Sequence, residues 1–169
     1  MLEPALIYAN ALKEKFARIA YDPHYMFAEG GYTDEYKPSD SNWSKHEFVS
    51  TNSSGVINGY IKYSVYQKDR TASGLYIVNF TNDLSFGGDL LQAIDDIFCK
   101  YGLRKLNYSV YIGNPIEDTY NKLTLKYGGY IVGVQKKHTR LLDGEFYDFK
   151  IYELFKEDYI THRPNRFKK

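Results

Sequence analysis

The run Leu75-Tyr76-Ile77-Val78-Asn79-Phe80 constrains the fold more than any other part of the chain. It is apolar on both sides of an extended backbone, so it reads as a central strand covered by helices on each face. An irregular stretch ending in Gly87-Gly88 follows, and then Leu90, Leu91, Ile94, Ile97 and Phe98 recur at helical spacing. A buried strand, a glycine-bearing turn and a helix N-terminus form an arrangement in which backbone N–H groups can cradle a phosphorylated cofactor. A second strand and helix follow about thirty residues later and meet at Asn114-Pro115, so the chain offers two neighbouring strand ends where a ligand can lodge.

The rest of the chain is read around that pair. Leu6, Ala9, Leu12, Phe16 and Ile19 recur at helical intervals, which predicts an amphipathic helix over residues 3–20 that stops before Asp22-Pro23. From His24 to Lys45 the periodicity disappears in a loop rich in Tyr and carboxylates, and a loop of this length inside a compact domain suits a lid or binding wall. Residues 46–51 and 56–67 form a strand hairpin about Ser53-Ser54-Gly55, with Ile57, Ile61, Tyr63 and Val65 on one face. Asp69 to Gly74 is the connection into the central strand. The helix after that strand runs from about Gly87 to Tyr101, with Lys100 and Gly102 at its end.

Leu106, Tyr108, Val110 and Ile112 alternate along the next strand. Asn114 then supplies a helix N-cap, Pro115 the first helical residue, Glu117 and Asp118 the acidic first turn, and Gly128-Gly129 the stop. Residues 130–142 and 145–155 are two further strands joined by Asp143-Gly144. The order α, loop, β, β, β, α, β, α, β, β predicts an α/β layer with a mixed sheet.

Composition narrows the partners. The chain has 169 residues, enough for one domain with a proper core, and a formal charge of +1, so no global field recruits nucleic acid or an anionic membrane. The single cysteine, Cys99, falls on the apolar side of a helix and is expected to be a buried thiol rather than a nucleophile. His24, His46, His138 and His162 lack metal-ligand spacing, and no metal is expected. No apolar run is long enough to span a bilayer, and Glu3, Lys13, Glu14, Lys15 and Arg18 interrupt the segment a signal peptide would need, so a cytoplasmic protein is expected. The 18 tyrosines fall mostly at alternating strand positions, where they would be half-buried.

The tail carries His162, Arg163, Arg166, Lys168 and Lys169 beside Phe167. It can be read as a nucleic-acid contact, but a short basic terminus is more often a disordered end, and nucleic acid is not expected.

Laid out in this order, residues 46–155 resemble the GNAT superfamily of N-acetyltransferases. The resemblance rests on Ile57-Asn58-Gly59-Tyr60-Ile61, similar to the family's hairpin into its third strand, and on the strand, loop and helix at 75–101. It rests also on Val110-Tyr111-Ile112-Gly113-Asn114 leading into a helix that ends at Gly129-Tyr130 and the strand Ile131-Val132-Gly133. It implies a mixed, mostly antiparallel central sheet with helices on both faces and a parallel strand pair splayed at the cofactor site. The implied organisation is one GNAT-like acyltransferase domain over residues 1–160 and a basic C-terminal tail over 161–169.

The chain departs from the family at two places. Counted back from Leu90-Leu91, the phosphate-loop positions fall on Asn82, Ser85 and Gly87, so only the second small residue is kept, with Gly88 beside it. The tyrosine that many members place four residues before the Gly-Phe pair is Leu125 here. Tyr120 and Tyr127, seven residues apart and on nearly the same helix face, are the candidates for general acid, and each can equally be core, because Ile116, Tyr120, Leu123 and Tyr127 form one apolar stripe.

The implied activity is direct transfer of acetyl from acetyl-coenzyme A, as co-substrate, to a primary amine of a small molecule or protein. By resemblance, the backbone of Ile77 and Asn79 would bind the pantetheine arm like an added strand, and Asn114 would contact that arm. The N–H groups of Ser85, Phe86, Gly87, Gly88 and Asp89, with Asn82, would hold the pyrophosphate. The Asp89 carboxylate is a cost there unless it turns away. General-base candidates are Glu29, Asp34 and Glu35 in the loop and His46 at a strand start, each of which can be simply solvated. Tyr25, Phe27, Tyr32 and Tyr36 suit a cationic amine or else pack the loop onto the sheet. The alternative from another class is a non-catalytic GNAT-like interaction module with weak or no coenzyme A binding. A homodimer is compatible with the sequence.

Overall fold

The computed structural model describes residues 1–28, 36–37, 39, 43–81 and 85–167. Seven strands form one sheet: β1 Leu2–Pro4, β2 Lys45–Thr51, β3 Ile57–Tyr66, β4 Thr71–Asn79, β5 Lys105–Tyr111, β6 Tyr130–Arg140 and β7 Phe146–Phe155, in the order β1-β2-β3-β4-β5-β7-β6. Every neighbouring pair is antiparallel except β4–β5, which is parallel. The helices are α1 Ala9–Ile19, α2 Ser85–Asp95, α3 Glu117–Lys126 and α4 Lys156–His162. No helix among the described residues is long and apolar enough to cross a membrane.

Around β4 both faces of the sheet are covered, as the two-sided apolar character of that strand requires, whereas β6 at the edge is largely exposed. On one face Phe86, Leu90, Ile94, Ile97 and Phe98 of α2 and its extension pack with Tyr120, Leu123 and Tyr127 at α3 and Tyr159 of α4 over Ile61, Leu75, Leu106, Tyr108 and Leu154. On the other, Leu12, Phe16 and Ile19 of α1 pack on Val49, Tyr60 and Val78. These apolar faces supply the main favourable contribution to folding, at roughly 25 cal/mol per Å² of apolar surface removed from water.

The structure corrects several boundaries. Residues 3–20 are not one helix: Leu2–Pro4 pairs with β2, Ala5–Tyr8 is a 3-10 turn, and α1 starts at Ala9. Pro4 has no N–H for a helix interior, and its extended conformation (ψ 129°) belongs to the strand. The segment Asp69 to Gly74 is not merely a connection, since β4 begins at Thr71. Gly74 lies within that strand at φ +68°, where the pairing registers with β3 and β5 both shift. It is a bulge at a backbone angle that favours glycine. Helix α2 begins two residues earlier than expected, at Ser85, and gives way to a wider π turn over Asp96–Lys100.

That turn changes which way its residues point. Cys99, expected to be buried, is exposed, and its thiol donates to Asp95 Oδ1 at 3.8 Å. Partial desolvation of its sulfur, then the Asp95 carboxylate, push its pKa up, so it remains a protonated thiol and not a nucleophile. The basic terminus is docked at its start: Thr161 and His162 belong to α4, and Arg163 grips the buried Asp95 through Nε at 2.6 Å and NH2 at 2.8 Å, with Tyr159 donating to the same carboxylate at 2.9 Å. Arg163 is therefore an internal tie rather than part of a free basic end.

Candidate functional site

The site begins where the parallel pair fails. Strands β4 and β5 pair from Thr71–Lys105 to Leu75–Tyr108, and beyond that point their pairing stops. The Gly74 bulge precedes the separation and turns β4 away from its neighbour. The gap is lined from both sides of the sheet. A cavity of about 140 Å³ lies between Leu75, Tyr76 and Ile77 of β4, Ser109, Val110 and Tyr111 of β5, and Phe27, Tyr120 and Phe149. It is continuous in its lining with a cavity of about 280 Å³ at the strand ends, which takes in Ile77–Asn79, Asn114–Ile116, His24, Tyr25, Phe27 and Ala28.

Part of the Tyr-rich loop does wall the opening. Asp22 caps the 3-10 turn Pro23–Tyr25 by accepting from His24 N at 2.9 Å, and that turn carries His24, Tyr25 and Phe27 to the strand ends. The Phe27 ring meets Tyr147 edge to face at 5.3 Å. Tyr36 instead packs the loop onto the sheet: its ring stacks on Phe16 at 4.9 Å, and its hydroxyl donates to Glu47 at 2.7 Å. Glu29, Tyr32, Asp34 and Glu35 lie outside the described residues, as does Asn82.

Asn114 lines both cavities, and its side chain has a structural task. Its Oδ1 accepts from Ile116 N at 3.0 Å and its carbonyl from Glu117 N at 2.8 Å, so it closes a turn that leads into α3. The expected N-cap is not formed: Pro115 and Ile116 lie in the turn that Asn114 closes, the helix starts at Glu117, and Ile116 stands at its cap position with no side-chain cap hydrogen bond. Glu117 accepts from Gly113 N at 3.0 Å and pairs with Lys150 of β7, tying the turn to the sheet. Its hydrogen bond to Lys150 holds the carboxyl below the ordinary range against the opposing effect of burial.

The candidate acids separate. Tyr120 is buried and lines the gap, its ring edge-on to Tyr108 at 5.1 Å and to Tyr152 at 6.1 Å. Tyr108 donates to Thr124 Oγ1 at 2.5 Å, and Thr124 donates to the Tyr120 carbonyl at 2.6 Å, which seats α3 on β5. Burial pushes the Tyr120 hydroxyl pKa up, so it carries its proton through the neutral range. Tyr127 lines neither cavity; it packs against Tyr159 at 5.4 Å with its hydroxyl buried and without a hydrogen-bond partner among the described residues. Leu125, at the family's usual tyrosine position, is 86% exposed.

At the α2 end, Ser85 to Gly88 form the first turn, where a helix presents N–H groups and the positive end of its dipole. A Cβ at Gly87 would meet nothing within 4 Å among the described residues, whereas the Phe86 side chain is buried against Gly59. Asp89 turns away: its carboxylate accepts from Ser50 Oγ at 2.6 Å and from the Met1 amine at 2.8 Å. As the fifth residue of α2, its own N–H belongs to the helical ladder.

His46 is not in the gap. It stacks on Tyr63 at 5.0 Å and meets Tyr101 at 4.7 Å beside a separate cavity, and burial lowers its pKa. Two residues escaped the sequence reading. His24 reaches the strand ends, which its place after a proline in a loop did not signal. Asn58, a polar residue in an apolar strand, reaches the start of α2.

No protein-family model matches the chain, and no curated protein does. Solved structures do. The fold, with its seven-stranded mixed sheet and parted parallel pair, is that of the GNAT N-acetyltransferases. Spermidine N-acetyltransferase SpeG from Vibrio cholerae, as its F149A mutant, superposes with a TM-score of 0.70 at 14% identity, covering 97% of this chain and 99% of that one. The same enzyme in complex with CoA and spermine matches with a TM-score of 0.66 at 15% identity over 95% of this chain and 97% of that one. Its complex with manganese ions gives 0.60 at 18% identity over 73% and 72%.

Proposed function

We propose that the chain is an acetyl-coenzyme-A-dependent N-acetyltransferase acting on a primary amine of a small molecule or protein. One observation carries the reading: β4 and β5 part after Leu75 and Tyr108, and a lined cavity opens in the gap at the end of β4 from which the chain runs on to the first turn of α2. An extended arm can lie along the edge of β4 as an added strand while an anionic head meets the helix N-terminus. That combination of shape and charge suits a coenzyme A thioester. The likeness of fold to an acetyltransferase solved with CoA and spermine supports it.

In this reading the thioester supplies an activated acetyl carbonyl, and the chain supplies position and protons. The backbone of Ile77 and Asn79 holds the arm and directs an N–H at the carbonyl oxygen, and Asn114 borders it. Ser85, Phe86, Gly87 and Gly88 receive the pyrophosphate through backbone groups. Tyr25 and Phe27 offer aromatic faces to an amine, and His24 accepts the proton the amine nitrogen loses as its bond to carbon forms. Tyr120 gives its phenolic proton to sulfur as the carbon–sulfur bond breaks.

Calorimetric titration with acetyl-coenzyme A and with coenzyme A, followed by thiol-release assays over a panel of primary amines that includes polyamines, tests the proposal. Saturable binding and amine-dependent thiol release are expected. Absence of binding to both nucleotides would overturn it and leave the non-catalytic interaction module.

A further inference from the structure

Strand β6 breaks its ladder beside the gap. Gln135 pairs with Phe149 and Thr139 with Tyr147, so Lys136, Lys137 and His138 all stand opposite Asp148. Within this bulge Lys137 takes φ +48°, a left-handed angle that strains a residue with a Cβ. Asp148 holds it there. Its Oδ1 accepts from Lys137 N at 2.9 Å and its Oδ2 from Lys136 Nζ at 2.7 Å, while its carbonyl accepts from Ile112 N at 2.9 Å, just past the end of β5.

Bulges re-aim side chains, and strain held in place by its surroundings points to a use. The side chain re-aimed here is His138, whose ring lies on Phe149 at 4.5 Å with 18° between the planes. Phe149 meets Tyr111, its cross-strand partner, at 5.1 Å, and both line the gap. Leu106, Tyr108 and Val110 of β5 point to the face that α2 and α3 cover, so Tyr111 and the paired Phe149 point to the opposite face. Phe27 comes in on that side, edge to face with Tyr147 two residues before Phe149. The first turn of α2, which would take the coenzyme A phosphates, packs on the other face. A molecule that meets Phe149 across the gap is therefore the acceptor, and aromatic rings suit its ammonium group or the carbon chain that carries it. We propose that Phe149 is a specificity-determining residue for the acceptor amine, and that His138, set by the bulge that Asp148 pins, is a positioning residue that fixes the Phe149 ring. This rests on the acetyltransferase reading above.

The test uses the full chain and the best amine of the panel above. It measures KM for that amine and for acetyl-coenzyme A, calorimetric titration of the amine into the chain saturated with coenzyme A, and thermal melting. Phe149→Ala is expected to weaken the amine by about tenfold and His138→Ala by about threefold, in KM and in calorimetry, with the KM for acetyl-coenzyme A unchanged. His138→Phe keeps a stacked ring and should restore the wild-type value. Adding His138→Ala to Phe149→Ala should cost nothing more, because the histidine acts through that ring. His138 is exposed, so its variants should melt like wild type. Unchanged amine affinity in either alanine variant overturns the proposal, as does a His138→Phe chain as weak as His138→Ala, since the imidazole then acts by itself. An equal rise in the KM for acetyl-coenzyme A also overturns it, because the ring then serves the fold or the cofactor. A wild-type chain that binds no coenzyme A, or acetylates no amine of the panel, refutes the functional reading and this inference with it. Wild-type turnover with unaffected variants refutes this inference alone.

Discussion

Replacing Tyr120 by Phe separates chemistry from packing, because the tyrosine ring and its hydroxyl do different things. The ring is locked edge-on between Tyr108 and Tyr152, contacts that Phe retains. The hydroxyl has no hydrogen-bond partner among the described residues, so its removal breaks no bond, and stability should move by less than about 0.5 kcal/mol. If the hydroxyl is the acid, turnover should fall by roughly 10²-fold or more, which is about 2.7 kcal/mol of transition-state stabilisation. The KM for acetyl-coenzyme A should stay near wild type, because the lost interaction exists only as sulfur departs. Tyr127→Phe is the matched control: the same change on the same helix side, in a ring packed on Tyr159 that lines neither cavity at the gap, should leave turnover intact. Steady-state kinetics on an identified amine reads both. Burial raises the Tyr120 pKa above its ordinary 10.0, so its deprotonation produces no alkaline fall in rate below about pH 10. Full turnover in Tyr120→Phe, or an alkaline limb below pH 10 that this substitution removes, would refute the assignment.

The other expectations are quicker to test. Gly87→Val adds atoms where no described residue lies within 4 Å, so melting should be unchanged while coenzyme A affinity, read by calorimetry, is lost. Asn114→Ala removes the bond from Ile116 N and should cost about 1 kcal/mol in denaturant unfolding. Arg163→Met strands the buried Asp95 carboxylate and should cost about 3–5 kcal/mol at neutral pH, measured by urea unfolding. Burial alone would raise the Asp95 pKa, but the bonds from Arg163 and Tyr159 bring it below the ordinary 3.8, so its contribution is present above that value and is lost as pH falls through the folded pKa. In Arg163→Met burial wins and the carboxyl protonates, so the penalty should shrink toward pH 4; a penalty that stays constant with pH would show that the pair is not responsible.

Much of the sheet was legible in the chain because its signals are local. Two-sided apolar character put Leu75–Phe80 at the centre, alternation marked Leu106, Tyr108 and Val110, and Asp143-Gly144 marked the hairpin between β6 and β7. The glycine pair and the apolar run after it placed α2 to within two residues, and Asn114 marked the entry to α3. Each of these depends on the residue's own backbone preference or on neighbours a few positions away.

Other features depend on partners distant in sequence, and only the tertiary structure could decide them. Cys99 is exposed because a π turn re-aims the end of the helix, and Gly74 is a bulge because the registers with β3 and β5 both shift there. Arg163 is an internal tie because Asp95, 68 positions earlier, waits beneath α4. Tyr120 and Tyr127 share a helix side and an apolar stripe, so periodicity treats them alike. They part only because β4 and β5 separate beside the first, while Tyr159 of α4 covers the second. Helical spacing says which way a side chain points, and long-range packing decides what it meets there.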